Sequence, residues 1–148
     1  QLQLNKKFNY HPEKIDIVAV LPDCLDYHQL TPTSHSLVDV INENSTRSVQ
    51  GYVMNAFPER ILSQNKQIFS ELPVDNIFGI SMKNGSVGVS NALKFLVSQK
   101  NYDLILAIDV GGDFVAHKDN LDVLSPMMDG YMLYALKELQ SFIKKENM

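Results

Sequence analysis

The stretch YDLILAIDVGGDF, residues 102–114, decides how this chain is read. Leu104, Ile105, Leu106, Ala107 and Ile108 are apolar at successive positions, and Asp109, Gly111, Gly112 and Asp113 follow at once. An unbroken apolar run of this length is the mark of a strand covered on both faces, so the pattern predicts an interior strand over 102–109. In an open parallel sheet, ligands collect where loops leave the carboxyl ends of strands, and Asp109 occupies that place. Gly111 and Gly112 let a ligand approach the backbone closely. Asp109 and Asp113 could together hold a divalent metal such as Mg²⁺, receive ligand hydroxyls, or divide acid and base catalysis between them. The same residues also describe a tight loop in which both acids accept backbone N–H bonds. Both readings stand at this point.

Working outward, KIDIVAVL (14–21) reads as a buried strand closed by Pro22. Residues 22–36, with two prolines and many small polar side chains, read as a loop with a helical turn around 36–42. RSVQGYVM (47–54) is a second strand, and 58–72 a helix with Pro58 in its first turn. VDNIFGISM (74–82) is a third strand. Residues 84–100 begin with glycines and become an amphipathic helix on which Leu93, Leu96 and Val97 share a face. From Ser125 as N-cap and Pro126 as first residue, a long helix runs to the end. Strands and helices alternate about every 25–30 residues, as in parallel βαβ units. The expectation is one α/β domain over 1–148: a Rossmann-like, three-layer arrangement with a mainly parallel sheet.

Composition narrows the function classes. An apolar share of 45% and a charged share of 20% are ordinary for a globular protein. The 13 Lys and Arg against 17 Asp and Glu give a net charge of −4. No basic run occurs, so neither nucleic acid nor an anionic membrane is an expected partner. Apolar runs fall well short of the ~20 residues of a membrane span. Cys24 is the only cysteine, which excludes an intrachain disulfide and fits a reducing, cytoplasmic setting. Asp23 and Asp26 nearby would raise its pKa, so the thiol reads as inert.

Other polar residues have two readings each. Asp129, in the first turn of the last helix, is favoured there by the helix dipole without any ligand, or joins Asp109 and Asp113 around one pocket. Ser86, Ser90 and Asn91 could contact an anion at a helix N-terminus, or belong to a turn and cap. His35 and His117 could act as bases, yet neither they nor His11 and His28 show the spacing of zinc ligands, so ordinary loop roles are favoured. Met127, Met128, Met132 and Met148, with Tyr131 and Tyr134, give the last helix apolar residues on more than one face. A second burial surface, such as a partner copy, would explain that.

The motif Asp109-Val110-Gly111-Gly112-Asp113, followed by Ser125-Pro126-Met127-Met128-Asp129, resembles the domain of unknown function 1152 family of bacteria and archaea. LTPTSHSLVDVI (30–41) and GSVGVSNALKFL (85–96) are similar to its Pro/Ser segment and its Gly-rich helix entry. Asp-x-Gly-Gly-Thr loops of sugar kinases, the diguanylate cyclase signature and Walker loops fit worse, because Asp113 replaces Thr, the cyclase Glu is missing and no Gly-Lys-Ser/Thr follows. Family members carry a Gly-Gly-Gly-Gly-Asp loop near their start that does not occur here, so the chain is expected to be a fragment or a shortened member. The resemblance implies a fold and a site, not a reaction.

The functional expectation is a small-molecule site for a polar or phosphorylated ligand at the 109–113 loop. Asp109 and Asp113 are the catalytic or metal-binding candidates. Gly111, Gly112, Ser125 and Asp129 are the ligand-binding ones. Such a protein is a metal-assisted enzyme, or else a non-catalytic ligand- or protein-binding domain in which the loop is structural. A small-molecule ligand and further copies of the chain are the expected partners.

Overall fold

The computed structural model describes residues 12–22, 26–42, 44–49, 52–55, 73–108 and 126–146. The chain divides into two compact units, Gln1–Ile80 and Ser81–Met148. The helix expected over 58–72 lies outside the described residues.

The first unit is built from strands. β1 (Ile15–Leu21), β2 (Asp26–His28), β3 (Thr31–Pro32), β4 (Val38–Val40), β5 (Thr46–Val49), β6 (Tyr52–Asn55) and β7 (Val74–Ser81) form two sheets, ordered β1-β7-β4-β3 and β2-β5-β6. β7 is central in the first sheet. Its Ile77, Phe78, Gly79 and Ile80 are buried in succession, so both faces of the strand are covered. The β1 and β7 strands run in the same direction: Ile15 N–H donates to Pro73 O (2.8 Å), Asn76 N–H to Asp16 Oδ1 (3.0 Å), and Leu21 packs beside Gly79. On the other edge β4 is antiparallel to β7, with Val38 opposite Ile80 and Val40 opposite Phe78. Leu21, Ile41 and Ile77 form a buried cluster, with Ile17, Tyr27, Leu30 and Val74 packed against it.

Several expectations are overturned here. The arrangement is not a Rossmann-like, three-layer domain with a mainly parallel sheet: the first sheet is mixed and the second wholly antiparallel. The reason lies in residues 22–55. What reads as a loop, a helical turn and one strand folds into five short strands, and the short β3–β4 and β5–β6 connections permit only antiparallel neighbours. The turn at 33–37 joins β3 to β4 through Thr33 N–H to Val38 O (3.2 Å) and Thr33 Oγ1 to Val38 O (2.7 Å). Pro32, which lacks an N–H, sits on β3 at the sheet edge, where a missing donor costs least. The run 47–54 is a hairpin rather than one strand, with Val49 opposite Tyr52.

Nor do residues 102–108 form an interior strand. They join no ladder among the described residues, and Leu104, Ile105, Leu106 and Ile108 are 45%, 38%, 53% and 77% exposed. An apolar run supplies strand propensity, but a strand also needs a partner edge. Both edges of β7 are taken by β1 and β4.

The second unit holds α1 (Gly85–Lys100) and α2 (Pro126–Glu146). On α1, Val89, Ala92, Leu93 and Leu96 recur at helical spacing and are buried. The helix ends at Asn101, whose left-handed backbone (φ 49°) brings its N–H onto Val97 O, with Lys100 favourably placed in the last turn. Among the described residues of α2, Ala135 and Leu139 are buried.

Two substitutions separate the observed fold from the one the apolar run suggests. Ile80, fully buried in β7, should lose about 2–5 kcal/mol of stability on replacement by alanine. Leu106→Lys should stay within about 0.5 kcal/mol, because it changes an exposed side chain. Urea denaturation of both variants reads the difference. A Leu106→Lys loss as large as that of Ile80→Ala would contradict the exposed placement of 102–108.

Candidate functional site

The second unit positions one end of a helix pair with particular chemistry. A Cβ on Gly85 would lie 3.8 Å from the Tyr131 hydroxyl, and Lys94 Nζ is 3.4 Å from Glu138 Oε2. Advancing along α1 from 85 to 94 therefore advances the contact along α2 from 131 to 138, so the helices run parallel. The same offset sets Ser90 level with Ala135, and both are buried. Small residues at that level let the two backbones approach. Ser90 Oγ has no hydrogen-bond partner among the described residues, which is the cost of placing a hydroxyl there.

Parallel helices carry their positive dipole ends at the same end of the pair. α1 enters from a turn closed by Gly85 N–H to Met82 O (2.8 Å), with Gly85 at φ 60°, a left-handed conformation that suits glycine. Asn84 at the N-cap makes no side-chain cap bond, and the first turn holds no acidic residue. The exposed Lys83 adds a cation beside it. On α2 the first turn carries Asp129, which is half-buried with Oδ2 wholly so. The arrangement brings a Gly-rich helix entry, a tyrosine hydroxyl and a carboxylate to one end of the helix pair. Such an end favours anionic or polar ligands through backbone N–H groups and dipole charge.

Of the residues singled out in the sequence, Asp129, Tyr131 and Ser86 fall at this end, whereas Ser90 is buried further along α1 and Asn91 is exposed. Asp109, Gly111, Gly112, Asp113 and Ser125 lie outside the described residues, as do Cys24, His11 and His117. Pro126 does begin α2. The histidines that are described serve the strands and turns. His28 Nε2 is 3.0 Å from Ser48 Oγ across the β2–β5 pair, and His35 Nδ1 accepts the Leu37 N–H (3.2 Å) inside the 33–37 turn. Among the described residues no group of three or more His, Cys, Asp or Glu could hold a metal ion. No helix among them is long and apolar enough to cross a membrane.

Polar locks in the first unit escaped the sequence reading. Ser45, 1% exposed, accepts the Asn42 N–H (3.0 Å) and donates to Gln29 O (3.1 Å). Asn42 Oδ1 takes the Asn44 N–H (2.9 Å). The Asn-x-Asn-Ser spacing was the available signal, since Asn and Ser side chains close local turns in this way. Beside this turn a cleft of about 430 Å³ is lined by Val40, Ile41, Asn42, Val74, Asp75, Asn76 and Ile77. Its amides are engaged within the protein: Asn76 Nδ2 donates to Asp16 and Asp75, and Asn42 Nδ2 to Gln29 O. The helix-pair end is the stronger candidate because two helix N-termini and their dipoles converge there beside a glycine-rich entry.

The protein is thus of mixed α/β class, with a strand-built unit followed by a parallel helix pair. The family described as Protein of unknown function (DUF1152) matches residues 30–144, and the chain belongs to it. That match bears out the resemblance carried by the motifs between Asp109 and Asp129. No curated protein and no solved structure matches the chain.

Cross-linking tests the helix geometry on which this site rests. In a Cys24→Ser background, Lys94→Cys with Glu138→Cys should be joined efficiently by a short bis-maleimide. Ser86→Cys with Lys144→Cys, which would be level only in an antiparallel pair and stand about 18 Å apart along the axis in the parallel register, should not. Equal yields, or the reverse order, would rule out the parallel setting.

Proposed function

We propose that this protein binds a small polar or phosphorylated ligand through the 109–113 loop and the N-terminal end of α2. In this reading Asp109 and Asp113 hold a divalent metal such as Mg²⁺ or exchange protons with the ligand. Gly111 and Gly112 give the ligand backbone access, and Ser125 and Asp129 supply polar contacts from the start of α2. The observation that carries the proposal is the parallel setting of α1 and α2. It draws Asp129 and the glycine-rich entry of α1 toward the end of the pair where two helix dipoles favour negative charge. The Asp-Val-Gly-Gly-Asp and Ser-Pro-x-x-Asp motifs flank that same helix start in the sequence. The site is compatible with a metal-assisted enzyme. If instead the loop is structural, the domain binds a ligand or a protein without catalysis.

Mg²⁺ titration followed by thermal denaturation separates these. A metal that binds the folded state stabilises it by about 2.7 kcal/mol at a hundredfold excess over Kd. The wild-type protein should show such a rise, and Asp113→Asn should abolish it while lowering metal-free stability by only about 1 kcal/mol. No stabilisation of the wild type by Mg²⁺ would remove the metal role. An unchanged response in Asp113→Asn would remove Asp113 from the site.

We also propose that copies of the chain associate through α2. Leu133 and Tyr134 are 49% and 42% exposed on that helix, which supports an apolar contact surface there. Light scattering at micromolar concentration should give a dimer or larger species, and Leu133→Lys should shift it to monomer. A monodisperse wild-type monomer would contradict this.

A further inference from the structure

We draw no further inference here: the strongest candidate, the apolar segment 104–108 that stands exposed after the C-terminal cap of α1, is an uncovered surface and nothing in the structure shows what covers it.

Discussion

The first unit depends on one close approach. At residue 79 of β7, the side chains of Leu21 and Ile41 occupy the space a Cβ would need: Leu21 Cγ would be 2.9 Å from it and Ile41 Cδ1 3.2 Å, with Leu21 Cδ1 nearer still. Only glycine admits both neighbours without displacement. Leu21 ends β1, and Ile41 follows β4, so the strand's two ladder partners send their side chains into the same gap. The cluster of Leu21, Ile41 and Ile77 closes over it. A strand that receives apolar side chains from both flanking segments in this way is fixed in register, because a one-residue slip would move every side chain to the opposite face.

Polar contacts hold the start of the same strand. Asp16 Oδ1 accepts both the backbone N–H and the side-chain amide of Asn76, at 3.0 and 2.9 Å. Hydrogen bonds to a carboxylate are stronger than neutral ones, so this pair sets where β7 begins against β1. By contrast, the Lys14–Asp75 pair nearby is 4.0 Å long between exposed side chains and contributes little. In the second unit the order differs: Val89, Ala92 and Ala135 are fully buried on the two helices, and the Gly85–Tyr131 and Lys94–Glu138 contacts bring the N-terminal ends of the pair together. In the first unit, by contrast, Asp16, Asn42, Ser45 and Asn76 are engaged with one another or with the backbone.

Several elements were legible in the sequence because local pattern and final environment agree. β1 and β7 are runs rich in β-branched apolar residues that end up paired, with every position but the exposed Asp75 buried or partly buried. α1 and α2 were legible from apolar spacing and from Pro126. Residues 22–55 were not, since their strands are two to four residues long and rest on turn hydrogen bonds such as those of Thr33, Asn42 and Ser45. Periodicity cannot register in so few positions. The run at 104–108 misled for the opposite reason: its pattern is that of a buried strand, but burial is a property of partners rather than of the run itself. Of the site residues read from the motifs, Asp129 is among the described residues, and its position in the first turn of α2 follows from the Ser-Pro-x-x-Asp spacing. The tyrosine hydroxyl beside Gly85 could not have been read, because it depends on the relative direction of two helices.

The central structural claim is that β7, and not the apolar segment 104–108, is the interior strand. Native-state hydrogen exchange tests it most directly, since exchange resolves the opening free energy of each segment. Amides of Ile77, Phe78, Gly79 and Ile80 should exchange only through openings close in free energy to global unfolding, whereas those of Leu104, Ile105, Leu106 and Ile108 should exchange near the rate of an unstructured chain. Protection at 104–108 equal to that of β7 would contradict the account.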